Sequence, residues 1–163
     1  MDTCRVIDWA IENFNLNEDV VIGGLSMGGD IAITLAGIDT KIKKVAAIAA
    51  SPDWNRTGMT DVMDSKKIIE RGNPSYFGQW LYNKMNPMTN LKSFCRPLKL
   101  HIELGELYTH INPQWSIAFK NVLCENYSNS DSNIEIVMNE GFNHLSLIQR
   151  KSIIDKAIDF MTE

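Results

Sequence analysis

Cysteine is scarce and unpatterned in this chain. Cys4, Cys95 and Cys124 are three thiols in 163 residues, an odd number with neither CxxC nor Cys/His ligand spacing. That argues against a disulfide framework and a structural zinc site, and points to reduced thiols in a cytoplasmic protein. Long apolar runs are missing too. Nothing approaches the ~20 residues that span a bilayer, so no membrane partner is expected. The opening MDTCRVIDWAIENF carries acidic groups and helical periodicity, unlike a signal peptide. Basic residues form no stripe. With a formal charge of -4, the chain has little to set against a row of phosphates, which argues against a nucleic-acid partner. Its densest basic group, Lys41-Ile42-Lys43-Lys44, reads as a solvated loop between a helix and a strand.

What remains is ordinary globular composition, 44% hydrophobic and 22% charged, on a length that suits one domain burying about 68–70% of its unfolded surface. Val6, Ile7, Trp9, Ala10 and Phe14 recur at spacings of three and four, predicting an amphipathic helix over residues 2–14. The run Val20-Val21-Ile22-Gly23 predicts a buried parallel strand, residues 27–38 a helix, and residues 45–50, VAAIAA, a second buried strand. Residues 54–97 change character. Polar helical pieces at 61–71 and 76–85, broken by Gly72-Asn73-Pro74 and Asn86-Pro87, read as a lid-like insertion over one end of a sheet. Strands at 98–104 and 134–138 and helices at 113–127 and 147–161 complete one domain, 1–163.

Strands alternate with helices throughout, which predicts an α/β class: a mostly parallel sheet in a three-layer α/β/α sandwich. In the strand at 98–104, Lys99, His101 and Glu103 alternate with Leu98, Leu100, Ile102 and Leu104. That alternation predicts a partly wet face.

Between the first strand and its helix stands Gly24-Leu25-Ser26-Met27-Gly28, a GxSxG pattern. Chance alone produces such a triplet in a chain of this length roughly 5% of the time. Context adds weight, because a nucleophilic serine needs a sharp strand-to-helix turn, with glycines permitting the bend and the next N–H facing the reacting oxygen. The alternative left open is a structural glycine turn with an idle serine. A nucleophile also needs a base. Of His101, His110 and His144, the last sits in Asn139-Glu140-Gly141-Phe142-Asn143-His144, between the last strand and the last helix. There a loop could carry an imidazole over the serine, and a merely solvated loop histidine is the other reading.

GLSMGG after the first strand, SPDW after the second, LHIELGELYTHINP through and after the third and GFNHL after the fourth resemble an α/β-hydrolase. More narrowly, they are similar to bacterial serine esterases and prolyl oligopeptidase-like hydrolases. The resemblance spans nearly the whole chain. It implies the C-terminal part of that fold with a small helical insertion, Ser26 on a nucleophile elbow, His144 as general base and the Met27 N–H as an oxyanion donor.

Two departures accompany it. The turn after the third strand in such hydrolases usually reads G-E-x-D-x-H-[IV], and here Gly105-Glu106-Leu107-Tyr108-Thr109-His110-Ile111 puts Tyr108 at the aspartate's place. A phenol is neutral at pH 7, and losing that carboxylate costs about 10⁴ in turnover in a serine protease. Glu106 and Asp53 are candidate substitutes, with a turn brace and a turn residue as their plain readings. The family also carries further strands before the serine strand, one loop of which gives a second oxyanion donor. This sequence starts at the helix just before the serine strand, so that strand is expected at a sheet edge, covered by a second copy in a homodimer.

The resemblance therefore implies a serine hydrolase, an esterase or peptidase-like enzyme, cleaving small ester or amide acyl substrates without metal or organic cofactor, its activity weakened by these departures. Trp54, Tyr76, Phe77, Trp80 and Tyr82 are candidate pocket lining, with ordinary packing as the alternative. The competing expectation is a non-catalytic remnant of the fold acting as an oligomeric binding or assembly module.

Overall fold

Val45, Ala46, Ala47 and Ile48 are each at most 2% exposed, as a strand must be when both its faces are covered. In the computed structural model, which describes residues 2–69, 76–107, 110–127 and 133–163, they belong to β2 (Ile42–Ile48). It lies between β1 (Val20–Leu25) and β3 (Lys99–Gly105), with β4 (Ile134–Asn139) beyond β3, and every pairing is parallel. The helices are α1 (Asp2–Phe14), α2 (Met27–Ala36), α3 (Tyr76–Met85), α4 (Gln114–Asn126), α5 (His144–Ile148) and α6 (Lys151–Thr162). Among the described residues β1 is one edge of the sheet, as the sequence led us to expect. No helix among them is long and apolar enough to cross a membrane.

The alternation along β2 divides the core into two layers. Val45 and Ala47 join Leu100, Ile102 and Ile134 beneath Ile33 and Ala36 of α2 and Phe119 and Leu123 of α4. Ala46 and Ile48 face the other way, onto Leu147 of α5 and Ile153 and Ala157 of α6. Helices thus cover both faces of a parallel sheet, the three-layer sandwich that the alternating elements predicted. Arg96 fastens one end of it, donating to the carbonyls of Ala36 at 2.6 Å and Ile42 at 2.7 Å. Residues 54–97 contribute to the core as well, through Phe94, which packs edge-on against Phe119 at 5.1 Å between centroids.

Four local expectations are corrected. β2 begins at Ile42, not Val45, so Lys43 and Lys44 are strand residues and not part of a solvated loop. Lys44 Nζ reaches the Phe160 carbonyl at 3.2 Å, and Lys41 pairs with Asp8 at 3.0 Å. The helix expected at 61–71 does not form in its described part. Asp61 and Asp64 accept from the N–H groups of Met63 and Lys66, local turns that compete with a helix, and Thr60 bridges Ile68 antiparallel. The closing helix is two helices, because an Asn143/Ser146 capping box starts α5 at His144 and Arg150 is extended.

The fourth correction concerns β3, whose polar face is wet at Lys99 but not at His101 and Glu103. His101 and Glu103 are 6% and 0% exposed, and they form a buried network. His101 Nε2 meets Glu103 at 2.9 Å and Nδ1 meets Glu135 at 2.7 Å, with Phe160 stacked on the ring at 5.1 Å. Asn139 Nδ2 donates to the other Glu103 oxygen at 2.6 Å. Two carboxylate acceptors call for two ring donors. The bond to Glu103, then that to Glu135, raises the His101 pKa against the opposing effect of burial. Burial alone would push the Glu103 carboxyl up, but the bonds from His101 and Asn139 together hold it below its usual range.

A histidine whose folded pKa is raised adds stability that is complete below its ordinary value, about 6.5, and is lost as pH rises through the folded value. Urea midpoints of the native chain should therefore fall as pH is raised from about 6.5. In His101→Phe that slope should flatten, and an unchanged slope would show that His101 is not the group responsible.

Candidate active site

β1 passes into α2 through one residue. The Ser26 N–H continues the sheet ladder to the Ile48 carbonyl at 2.8 Å, and its own carbonyl accepts the Asp30 N–H at 3.1 Å, the first bond of α2. These anchors hold Ser26 at φ 52° and ψ -122°, a sparsely populated region for a residue with a side chain, costing about 1–3 kcal/mol. Met27 follows at the first helical position, where its N–H has no carbonyl within the helix to meet. The glycines around the serine are not equivalent. A Cβ on Gly24 would lie 2.2 Å from the Gly28 carbonyl carbon, and one on Gly29 would lie 2.7 Å from Ala50 Cβ, while one on Gly28 would meet nothing within 4 Å. Close packing therefore requires Gly24 and Gly29. The second glycine of the GxSxG pattern is not required sterically.

Across the turn, Ser26 Oγ and His144 Nε2 are 2.8 Å apart. The loop carrying His144 is held against the turn after β3. Gly105 lets the Phe142 carbonyl approach to 2.5 Å of where a Cβ would stand. Leu107 N–H donates to that carbonyl at 2.9 Å and Glu106 N–H to the Asn139 carbonyl at 3.0 Å. The Asn143 cap then fixes the first turn of α5, where His144 sits. His144 is 7% exposed. Burial first, then the charges of His110 and Arg56, push its pKa down to about 4. The ring is thus neutral at pH 7, and its Nε2 is free to accept from the serine hydroxyl when the proton is on Nδ1.

The other sequence candidates are placed as follows. The Glu106 carboxylate turns to the Gly141 N–H at 3.1 Å, the plain bracing role, and the structure gives it no bond to His144. Asp53 accepts from Asn55 N–H at 3.0 Å, from Asn86 Nδ2 at 3.2 Å and from Tyr82 OH at 3.4 Å. No carboxylate among the described residues bonds to the imidazole, and Tyr108 lies outside those residues. Of the aromatic candidates, Trp54 packs edge-on against Tyr82 at 6.1 Å and Trp80 is about half exposed. The side chains of Tyr76 and Phe77 lie outside the description.

Three neighbours of the site escaped sequence reasoning. Asp30 is buried in the first turn of α2, accepts the Ser51 N–H at 2.7 Å and ion-pairs with Arg56. Its signal was available: a lone charge in the apolar helix GGDIAITLA needs a buried partner. Arg56, at φ 42°, comes from a distant segment and carried no local signal, and His110 was legible as the histidine of the G-E-x-D-x-H-[IV] pattern but not as a ring meeting that of His144 at 4.7 Å. Among the described residues no group of three or more His, Cys, Asp or Glu side chains is gathered to hold a metal.

No protein-family model matches the sequence, and no curated protein sequence does. Solved structures do match the fold. An esterase of Pyrococcus furiosus superposes with a TM-score of 0.63 at 18% identity over 99% of this chain and 61% of its own. An acylaminoacyl peptidase of Pyrococcus horikoshii gives 0.69 at 14% identity, over 96% of this chain and 25% of its own. A puromycin-hydrolyzing peptidase of Mycobacterium tuberculosis gives 0.71 at 13% identity, over 96% of this chain and 23% of its own. The chain therefore has the α/β-hydrolase fold, and it spans about three fifths of that esterase and about a quarter of those peptidases.

The glycine geometry gives a paired prediction. Gly24→Ala should destabilise by about 1–3 kcal/mol, the range for forced overpacking. Gly28→Ala should be neutral or gain up to about 1 kcal/mol as a helix residue. Urea denaturation of both variants reads the difference, and equal effects would contradict the packing described.

Proposed function

We propose that this chain is a serine hydrolase of the α/β-hydrolase type, cleaving small ester or amide-like acyl substrates through an acyl-enzyme. One observation carries the reading: a serine hydroxyl on a strained strand-to-helix turn lies 2.8 Å from the Nε2 of a buried, neutral histidine 118 residues away. Esterases and peptidases among the structures of like fold support the same class of chemistry.

In this mechanism Ser26 Oγ bonds to the acyl carbon while its proton passes to His144 Nε2. The carbonyl electron pair moves onto oxygen, which the Met27 N–H at the start of α2 receives. Collapse of that intermediate breaks the bond to the leaving group, which takes the proton from Nε2. Water then repeats the sequence on the acyl-serine and releases the acid. The environment of His144 makes it available but weakly basic. From an ordinary 6.5 to about 4 corresponds to about 3 kcal/mol less favourable imidazolium, so turnover is slow beside that of a serine enzyme with a carboxylate on its histidine.

A second reading, assembly through the sheet edge, has its own support. Val21 and Leu25 of β1, Met27 and Ile31 of α2, and Val6 and Trp9 of α1 are all exposed, and an open apolar edge strand invites pairing. A second copy across β1 is its natural form. Sedimentation separates this reading from a monomer: a dilute, strictly monomeric species of native stability discards the homodimer.

A fluorophosphonate probe should label the native chain and not Ser26→Ala, alongside p-nitrophenyl acetate turnover that is lost in the same variant. Turnover should rise as pH increases through about 4, where His144 sheds its proton, and be flat by pH 6.5. Labelling that survives Ser26→Ala refutes the assignment, and an acid limb at 6.5 refutes the low titration of His144.

A further inference from the structure

We propose that His110 is the positioning residue for His144, holding the imidazole by ring packing in a site where no described carboxylate bonds to it. The inference rests on the hydrolase reading for its consequence in turnover, and on geometry for everything else. His110 is half-buried and pinned to one residue twice. Its Nδ1 bonds to the Thr60 carbonyl, and its own carbonyl accepts the Thr60 N–H at 3.3 Å. A carbonyl only accepts, so His110 Nδ1 carries a proton, and in the neutral ring Nε2 is the unprotonated nitrogen. The ring therefore has a fixed tautomer and a fixed place.

From that place it meets the His144 ring at 4.7 Å between centroids with planes 77° apart, an edge-to-face contact that sets orientation as well as distance. His144 needs such a neighbour. Accepting from Ser26 at Nε2 puts its proton on Nδ1, and that N–H meets no acceptor among the described residues. The cavity beside it, bounded by Ala49, Leu104, Gly105, Leu107 and Ile111, measures only about 10 Å³. That is room for one water and not for a turning ring. Among the described residues the polar groups around His144 are Ser26 from the β1–α2 turn, His110 from the segment after β3 and Arg56 from the segment after β2, the last with its charge paired to Asp30. Of these, only His110 brings a ring against the imidazole. A protonated His110 opposes an imidazolium at His144, which is part of why the latter titrates low. Thr60 stands in residues 54–97, so the bond to Thr60 also couples that segment to the base.

The test follows the His144 ring by NMR titration, with fluorophosphonate labelling in parallel. In His110→Phe, which keeps a ring but removes the charge and the bond to the Thr60 carbonyl, the His144 pKa should move up from about 4 toward the ordinary value, with labelling at pH 8 slowed less than in His110→Ala. In His110→Ala, which removes the ring, labelling at pH 8 should slow by roughly 10- to 100-fold, the scale of a catalytic group misplaced by about 1 Å. Tyr108→Phe should leave the His144 titration where it is. An unmoved titration in His110→Phe, or one that moves in Tyr108→Phe instead, overturns the proposal, as does native-rate labelling in a folded His110→Ala. Should the native chain fail to label while His110→Phe still shifts the titration, the hydrolase reading falls and the pairing of the two rings stands.

Discussion

The site depends on one residue being held where a side-chain-bearing residue does not rest by choice. Ser26 is at positive φ because the sheet fixes its N–H to Ile48 and the helix fixes its carbonyl to Asp30, with no residue between to absorb the turn. A cost of about 1–3 kcal/mol is small against a core containing Ile33, Val45, Ile102 and Phe119, each fully buried, where even one such side chain contributes about 1.5–3 kcal/mol. The strain persists because loosening it would mean unpairing β1 from β2 or unwinding the start of α2. The hydroxyl is thrust outward as a consequence. Gly24 and Gly29 then let the two elements close to distances that any Cβ would prevent.

The histidine half of the site is built differently, from polar contacts between loops. Beneath it lies the His101–Glu103–Asn139 network, which is buried, charged and fully partnered within β3 and β4. Asn139 links the two: its side chain satisfies Glu103, and its carbonyl receives the Glu106 N–H at the turn that supports the His144 loop. Breaking such a network by removing one partner leaves a buried charge uncompensated, typically at 3–5 kcal/mol. The network ties His101 and Glu103 of β3 to Glu135 and Asn139 of β4 in the observed register, from which the His144 loop departs.

Sequence alone exposed the parts of this arrangement that are periodic or local. VAAIAA is too apolar to be anything but buried, and the glycines around Ser26 mark the strand-to-helix turn, so the sheet and the Ser26–His144 contact were legible, whereas VVIG, read as a buried strand, lies along the sheet edge with Val21 exposed. What was not legible depends on partners distant in the chain. Lys99, His101 and Glu103 have the alternation of a solvated strand face, and only Lys99 is exposed, because nothing local announces that Asn139, Glu135 and Phe160 will close over the other two. Asp61 and Asp64 fall in a pattern that reads as helix until their side chains capture the neighbouring N–H groups. Glu106 was a reasonable substitute acid by spacing alone, and its bond to Gly141 is a loop contact that spacing does not encode.

These constraints bear on how a histidine works with no carboxylate among the described residues bonded to it. An aspartate at Nδ1 does two things: it fixes the ring, and it stabilises the imidazolium that forms in the transition state. On the proposed reading these functions come apart here. Ring orientation passes to packing, with His110 on one side and a cavity too small to turn in on the other. Charge stabilisation is not replaced. The neighbours that matter to His144, His110 and Arg56, oppose its protonation, and the Asp30 carboxylate nearest that charge is already committed to Arg56 and the Ser51 N–H. The two deficits overlap, because a weakly basic imidazole and one with no described carboxylate bonded to it are the same energy seen from two directions, and adding them would count it twice. On that reading the site keeps its nucleophile aligned and its base neutral over most of the pH range while stabilising little of the charge that turnover creates. Stoichiometric acylation by a reactive electrophile is then the chemistry it retains best, and repeated turnover of an unactivated amide the chemistry it loses first.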